Sequence, residues 1–337
     1  MATKVVERKR KNFIVRFFMM NTSKEVGGRE LPLWKQLLLQ VLTLLIAAEV
    51  MFPIMYIITL SLSSKSNRPT SLELFPKEIS LVAFQQVLDR PTANPVTFIE
   101  LLKNSFLLSV GVGLAALLIA VTAAYAFSRF KFKLRQVLMI LVFVPLLMPT
   151  VGLATPLFLL MNSIRVVDCG GGAVVLQPFL SCAATTGKVI FNLRDSLYGV
   201  GIAMISGALP FAVWNLKGYL DTIPEELEEA AAIDGASPNQ VFFQIVLPLA
   251  APQLAVTFFL GFIGHWQEFV MPWLFLTQPK DYTLAMTLYN MTGQYANAIP
   301  WNRFAAMAII VALPVAVIYM VLQKQIVSGL TLGGVKG

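Results

Sequence analysis

Residues 225–248 read EELEEAAAIDGASPNQVFFQIVLP, a polar, alanine-rich stretch between long apolar runs. Four glutamates and one aspartate precede Gly235, and the stretch closes at Pro248. Glycine commonly stands where a helix stops and reverses, because it adopts a left-handed backbone without steric cost. The stretch therefore predicts a helix, a glycine turn and a second helix that ends at Pro248.

Cap residues mark the start of both predicted helices. Thr222 and Glu225 have the spacing of a capping box, with Pro224 beside the first turn. Ser237 and Gln240 repeat that spacing for the second helix. An isolated helix of ~11 residues is marginal in water, so the first helix needs a surface to dock on.

The two predicted helices carry different faces. Helical spacing brings one set of residues to a shallow, small-sided face that suits a groove on another protein: Leu227, Ala230, Ala231 and Asp234. The second helix carries large apolar residues that we expect to pack onto the rest of the chain: Phe242, Phe243, Ile245 and Val246.

The remaining sequence is that of a polytopic membrane protein. Of its 337 residues, 57% are hydrophobic and 13% are charged, and the mean hydropathy is +0.71. Soluble domains average about 45–50% apolar and about 25% charged residues. Because apolar runs long enough to cross a ~30 Å hydrocarbon core recur along the chain, no nucleic-acid partner is inferred from the net charge of +8.

Six apolar runs are predicted to be transmembrane helices, which gives an all-α polytopic fold: 37–62, 104–128, 136–162, 197–217, 250–276 and 303–323. The first run is longer than the ~7–15-residue core of a signal peptide, so we expect it to be retained. Prolines inside or beside most runs predict kinked helices, which the interior of a bundle tolerates.

Basic residues orient these helices. Nine of the 26 Lys and Arg residues lie in the first 35 positions, and the connector 129–135, RFKFKLR, contains four more. Basic residues in short loops mark the cytoplasmic side. We therefore expect residues 1–36 and the tail 326–337 to be cytoplasmic, with a membrane domain over 37–325. The longest internal cytoplasmic loop is then 218–249.

The opposite side carries three segments, 63–103, 163–196 and 277–302. In 63–103 a short surface helix is predicted near SLVAFQQVL. In 163–196 the stretches AVVLQPFL and KVIFNL suit short strands, so we expect a β-hairpin. Cys169 and Cys182 fall in this second segment and are compatible with a disulfide or with two free thiols. They lack the further ligands of a zinc site, so no metal site is predicted.

The spacing around Gly235 resembles that of a known family. Glu229-Ala230-Ala231, Gly235 and Ile245-Val246-Leu247-Pro248 match the EAA motif of ABC importer permeases, EAA-x3-G-x9-I-x-L-P, at every fixed position. Further stretches extend the resemblance from about Trp34 to the end, within the binding-protein-dependent carbohydrate branch and its MalG-like subunit: KNSFLLS, AAYAFSRFKFK, GHWQEFVMPWLFL and VSGLTLGGVKG. The stretch around 166–191 departs from the family by its greater length.

The resemblance implies a type I ABC importer permease fold with a cytoplasmic coupling helix in residues 218–249, which we call the EAA loop. Such a chain forms half of the translocation pathway of an ATP-driven sugar importer in a prokaryotic plasma (inner) membrane. It is not an enzyme and binds no cofactor, because ATP and Mg²⁺ belong to a separate ATPase subunit dimer. The other implied partners are a companion MalF-like permease subunit, an extracytoplasmic solute-binding protein and membrane lipid. The implied ATPase-coupling residues are Leu227, Glu229, Ala230, Ala231, Asp234 and Gly235.

Few polar groups lie at membrane depth, where exposure to lipid makes them costly. They form a candidate substrate path in which polar side chains bond to sugar hydroxyls and indoles stack on sugar rings: Glu49, Asn104, His265, Trp266, Gln267 and Glu268. The alternative, which the sequence favours, is that these groups join helices or contact a companion subunit.

Two other transport functions are compatible with parts of the sequence. A permease for glycerol phosphate or a polyol is one, although a phosphate would favour a basic lining that the spans do not show. A secondary transporter would also have kinked spans, but it would usually carry an internal repeat, and none is visible. The prediction is therefore an ATP-driven importer of a neutral sugar.

Overall fold

Helices account for most of the chain in this computed structural model, which describes residues 33–66, 72–76, 78–169, 174–178, 188–293 and 299–334. The chain divides into two compact units, Met1–Met55 and Tyr56–Gly337. In chain order the helices are α1 (Leu33–Ser61), α2 (Val82–Asp89), α3 (Phe98–Arg129), α4 (Arg135–Phe143), α5 (Thr150–Ser163), α6 (Leu197–Leu220), α7 (Glu226–Ile233), α8 (Pro238–Gln267), α9 (Val270–Phe275), α10 (Leu284–Asn290) and α11 (Trp301–Gly334). The strands are β1 (Arg165–Asp168), β2 (Val174–Gln177) and β3 (Lys188–Asn192).

Several of these helices can cross a membrane. Among the described residues five are long and apolar enough, namely α1, α3, α6, α8 and α11, and α4 with α5 makes a sixth if that bent pair is one span. The predicted polytopic helical fold is thus confirmed. The predicted surface helix is α2, which follows α1 and precedes α3 in the sequence.

The third predicted span is broken rather than continuous. Helical segments Arg135–Leu147 and Gly152–Ser163 meet at an angle of 103°, so the predicted run 136–162 is bent far more sharply than an ordinary proline kink. Met148 is extended, with φ −87° and ψ 140°, because the ring of Pro149 disfavours a helical conformation in the residue before it.

The fifth predicted span is shifted along the chain. One helix, α8, runs from Pro238 to Gln267, and the extended residue Glu268 separates it from α9. The second helix of the EAA loop was predicted to end at Pro248, which was wrong, because it continues into the fifth span. Residues Val241–Val246 form a π-helical segment, in which the Leu247 N–H bonds to the Phe242 carbonyl. A proline crowds the carbonyl four residues earlier, and a π turn widens the helix at that point.

The three strands form one antiparallel sheet in the order β2-β1-β3. The sequence predicted the two outer strands but paired them with each other, which was wrong: each pairs with β1 instead. The central strand, β1, begins two residues after the end of α5 and pairs with a neighbour along each of its two edges. The Val167 side chain in β1 is buried, with 3% of its surface exposed. The Cys169–Cys182 disulfide stays a prediction, since Cys182 lies outside the described residues.

The second unit is built around α3, which packs along α6 and α8. At one end of the bundle a core cluster joins these helices to the EAA loop: Ala120, Val121, Ala124, Ala212, Val213, Leu216, Leu220, Ile223, Val241, Val246 and Ala250. We call this the EAA cluster, and its end of the bundle the EAA end. At the opposite end, α2, α10 and the start of α11 pack against α3 and α8.

Gly199 fixes the junction between the sheet and α6. A Cβ at this position would lie 1.8 Å from the Leu193 carbonyl oxygen, and the Gly199 N–H is capped by Ser196 Oγ at 3.1 Å. We expect Gly199→Ala to abolish the yield of monodisperse protein on size exclusion, because a backbone atom would have to move. Gly207→Ala in the same helix is the control: it meets nothing within 4 Å and should fold at least as well, since alanine is the better helix former. Equal yields of the two variants would contradict this role.

Candidate functional site

The coupling helix predicted from the sequence is α7, and Glu228 ties it to the bundle. Its carboxylate accepts one hydrogen bond from Tyr125 Oη at 2.8 Å and another from Arg129 Nε at 2.6 Å. The side chains of Arg129 and Glu228 are only 9% and 12% exposed. Both oxygens of a nearly buried carboxylate are therefore committed to the end of α3.

Arg129 makes two further bonds that join neighbouring elements. Its Nη2 donates to the Ile223 carbonyl at 3.0 Å and its Nη1 to Ser128 Oγ at 3.0 Å. The Ser128 hydroxyl in turn donates to Asp221 Oδ1 at 2.6 Å. We call Tyr125, Ser128, Arg129, Asp221 and Glu228 the latch. It connects the ends of α3 and α6 with α7 through charged hydrogen bonds, which are stronger than neutral ones.

Asp221 remains an anion within the latch. Burial alone would raise the pKa of its carboxyl. Hydrogen bonds from Lys217 and Ser128, with the positive charges of Lys217 and Arg135, outweigh that effect and hold the pKa below its ordinary value. Lys217 Nζ lies 2.5 Å from Asp221 Oδ2. At neutral pH the Ser128 hydroxyl therefore donates its hydrogen bond to an ionised Asp221 carboxylate.

The two predicted helix caps have different outcomes. Thr222 does not cap α7: its hydroxyl donates to the Tyr219 carbonyl at 2.7 Å, and α7 begins only at Glu226. That prediction was wrong because Thr222 belongs to the last turn after α6. The second capping box is confirmed, since the Gln240 N–H bonds to Ser237 Oγ and the Ser237 N–H to Gln240 Oε1.

Gly235 closes α7 with a left-handed backbone, φ +87°. Its N–H donates to the Ala232 carbonyl at 3.1 Å, and the Ala236 N–H donates to the Ala231 carbonyl at 3.0 Å. This is the Schellman arrangement of a helix end. The Asp234 side chain bonds to no described residue, so the backbone alone closes the turn.

The predicted single face of α7 is divided between two sides. Ala231 packs against the EAA cluster, on the same side as Glu228. Leu227 is 46% exposed and Ile233 is 86% exposed, while Ala230 and Glu229 are also exposed. We call Leu227, Ala230 and Ile233 the outer face of α7.

The start of α8 holds the other side of the EAA loop. Val241 and Val246 are buried, and the Phe242 ring lies 4.9 Å from that of Tyr125. Phe243 was predicted to pack inward, but it is 63% exposed, because the π-helical segment rotates it away from the bundle. Both helices that flank the Gly235 turn, α7 and the start of α8, are therefore attached to the bundle.

Three residues of the candidate substrate path bond within the chain: Asn104 and Trp266 join separate elements, and Glu268 caps the start of α9. Asn104 Nδ2 donates to the carbonyls of Lys280 at 2.7 Å and Tyr282 at 3.1 Å. Trp266 Nε1 donates to the Val311 carbonyl at 3.0 Å, and Glu268 Oε1 accepts from two N–H groups at the start of α9. These contacts favour the interpretation that such groups join helices.

A cavity of about 180 Å³ lies between α3, α6 and α8. Its lining is mostly apolar: Gly113, Ala116, Leu117, Ala208, Phe211, Ala212, Thr257, Leu260, Gly261, Gly264 and His265. Within the described residues His265 Nε2 is buried without a hydrogen-bond partner. Gln267 is exposed, and so is Glu49 in α1. His265 is thus the one predicted path residue that borders this cavity.

Comparisons with known proteins agree with the arrangement of apolar helices and the EAA loop described above. Residues 116–331 match the family described as binding-protein-dependent transport system inner membrane component. The chain belongs to this family. It is 32% identical over 291 residues to the galactooligosaccharides transport system permease protein GanQ of Bacillus subtilis, covering 86% of this chain and 92% of that protein. It is 34% identical over 306 residues to the maltose/maltodextrin transport system permease protein MalG of Escherichia coli K12, covering 88% and 94%.

A solved structure shares the permease fold. One chain of a bacterial ABC transporter involved in the import of the acidic polysaccharide alginate superposes with a TM-score of 0.65 at 21% identity, covering 86% of this permease and 95% of that chain. The likeness confirms the type I permease architecture predicted from the EAA motif. The described residues of the permease contain no group of three or more His, Cys, Asp or Glu side chains that could hold a metal ion.

The latch is the part of the permease site that sequence reasoning missed. The stretch 225–248 contains no lysine or arginine, and the cation that bonds to Glu228 is Arg129, which lies 99 residues earlier in the chain. A signal was present in the spacing of Tyr125 and Arg129, which share one face at the end of a span. An arginine that is buried at such a position requires an anion.

Proposed function

We propose that this permease forms half of the translocation pathway of an ATP-driven importer for a neutral mono-, di- or oligosaccharide. The names of two relatives, for galactooligosaccharides and for maltose and maltodextrin, support a sugar as the solute. ATP and Mg²⁺ would bind a separate ATPase dimer. A companion permease subunit and an extracytoplasmic solute-binding protein would complete the importer, with both termini of this chain in the cytoplasm.

The observation that carries the proposal is the outer face of α7. Ile233 is 86% exposed on a helix whose other side is locked to the bundle by the latch. A large apolar residue held in that way suits a partner protein better than water. The ATPase would receive the outer face, Glu229 would add a charged contact, and Ala230 would allow close approach.

Coupling would follow from the rigid attachment of α7. When the ATPase dimer closes on ATP, a docked α7 would move with it and pull on the ends of α3 and α6 through the latch. Packed helices have discrete arrangements, so a preference of each nucleotide state for one arrangement gives alternating access.

The cavity lining favours a neutral solute. It contains Thr257 and His265 but neither lysine nor arginine, whereas a glycerol phosphate would be expected to meet a cation. A secondary transporter is the alternative of a different class, and it would need no exposed coupling helix.

Uptake measurements separate these classes. Proteoliposomes that contain the permease with its companion subunit, the ATPase and the solute-binding protein should accumulate oligosaccharide when ATP is supplied, and vanadate should block that uptake. Proteoliposomes with the permease alone should not accumulate it. Uptake by the permease alone, driven by an ion gradient, would establish a secondary transporter instead.

Gly235 offers a test of the rigid turn. Its added Cβ would meet nothing within 4 Å, so a substitution acts through backbone strain alone. We expect Gly235→Val to reduce ATP-driven uptake at least tenfold, because a left-handed backbone costs an L-residue about 1–2 kcal/mol and the turn would shift to relieve it. Gly235→Asn is the matched control, since asparagine tolerates this conformation, and should retain most uptake. Equal uptake by both variants would argue against a rigid turn.

A further inference from the structure

The connector between α3 and α4 has an unusual exposed surface. Helix α3, which is long enough to cross a membrane, ends at Arg129, and the apolar helical segment Arg135–Leu147 follows. Residues 130–134, Phe-Lys-Phe-Lys-Leu, join the two directly. A link of this length cannot leave the surface where the two helices emerge. Its side chains therefore lie at the boundary between hydrocarbon and water.

Apolar and basic side chains alternate along this connector. Phe130, Phe132 and Leu134 are 58%, 39% and 67% exposed, and Lys131 and Lys133 are exposed between them. Neither lysine forms an ion pair with a described residue. Unpaired cations beside exposed rings match a membrane surface, in which acyl chains lie below a layer of headgroups.

The connector has a fixed shape rather than that of a loose loop. The Phe130 ring meets Tyr125 edge-on, with centroids 6.1 Å apart, and the Phe132 ring lies 5.8 Å from that of Phe127. Leu134 has φ 70°, a left-handed backbone that a residue with a Cβ rarely adopts. Leu134 nevertheless stays exposed, so burial of its side chain within the chain does not explain this conformation.

We propose that residues 130–134 form a binding surface for anionic lipid headgroups. Lys131 and Lys133 contact the phosphate-bearing headgroups, and Phe130, Phe132 and Leu134 enter the region beneath them. A soluble anion would use the two lysines but would leave the three apolar side chains in water. The assignment does not depend on which leaflet the connector faces, nor on the solute of the importer.

Bound lipid at this surface lies next to the latch. Tyr125 contacts the Phe130 ring on one side and donates a hydrogen bond to Glu228 on the other. Anionic lipid therefore holds the end of α3 in the position that α7 requires. The surface makes the membrane a partner in the placement of the EAA loop.

Native mass spectrometry of the intact complex tests this surface directly. The complex is extracted into detergent with phosphatidylglycerol or phosphatidylcholine, and the retained lipid is counted. We expect wild-type protein to retain phosphatidylglycerol preferentially. Lys131→Gln/Lys133→Gln should weaken that retention roughly 25-fold, which corresponds to the usual contribution of two basic residues near an anionic surface. The control Lys65→Gln/Lys324→Gln removes two other exposed lysines and should retain lipid like wild type.

A second variant guards against misfolding. Leu134→Gly suits the left-handed backbone, so it should fold normally and still lose part of the lipid retention. Unchanged phosphatidylglycerol retention in the lysine variant would overturn the proposal. Loss of the ATPase subunit with lipid retained would overturn it too, because the connector would then be a protein contact. Lipid counts require no transport, so this result stands apart from the uptake measurements.

Discussion

Replacing Arg129 with methionine should abolish sugar uptake while the complex continues to hydrolyse ATP. The change leaves the Glu228 carboxylate, which is 12% exposed, without its cation. Removing one member of a buried ion pair costs about 3–5 kcal/mol, and α7 would relieve that cost by leaving the bundle. A displaced α7 would still meet the ATPase but could no longer pull on α3. Uptake and phosphate release in the same proteoliposomes measure this uncoupling.

Two further variants make the result specific to the latch. Arg135→Met is the control: Arg135 makes one long contact of 3.5 Å to the Ser128 carbonyl and is the smallest of the influences that keep Asp221 ionised, so this variant should keep most of its uptake. Arg129→Met/Glu228→Leu should recover part of the coupling, since an apolar pair often replaces a buried ion pair without loss of stability. Full transport by Arg129→Met alone would show that the latch does not carry the coupling.

Replacing Ile233 with aspartate should remove the ATPase from the purified complex. Full burial of an isoleucine contributes about 1.5–3 kcal/mol, which corresponds to roughly a ten- to hundredfold change in affinity. An aspartate at the same place would add the cost of a desolvated charge. The measurement is the ratio of ATPase to permease after affinity purification through a tag on the permease.

Ile79→Asp provides the matched control for this experiment. Ile79 is 76% exposed, but it precedes Ser80, whose N–H bonds to the Leu62 carbonyl at the end of α1. This variant should keep its full complement of ATPase. A normal complement of ATPase on Ile233→Asp would move the docking surface away from the outer face of α7.

Local signals in the sequence predicted the local parts of the site. The glycine at 235 and the capping box of Ser237 and Gln240 act within a few residues, and both are present in the structure. The apolar runs predicted the membrane helices, because length and composition alone decide whether a helix can cross a bilayer. The same rules failed at Thr222, where the preceding helix competes for its hydroxyl.

Features that depend on distant partners were beyond such rules. The pairing of Arg129 with Glu228 joins residues 99 positions apart, and a pattern of charges does not say which charges meet. The sheet order depends on a central strand that offers both edges, so two good strand sequences did not identify their partner. The π-helical segment at Val241–Val246 lets α8 continue through Pro248. Only Phe242 of the two neighbouring phenylalanines contacts the bundle, through Tyr125, whereas both were predicted to do so.

Site-specific photo-crosslinking at position 227 tests the central claim most directly. With p-benzoylphenylalanine in place of Leu227, which is 46% exposed on the outer face of α7, illumination of the assembled complex in its membrane should yield an adduct with the ATPase subunit, and the same probe at Gly207 in α6 should not. An adduct between position 227 and the extracytoplasmic solute-binding protein would contradict the account, because α7 would then face the wrong side of the membrane.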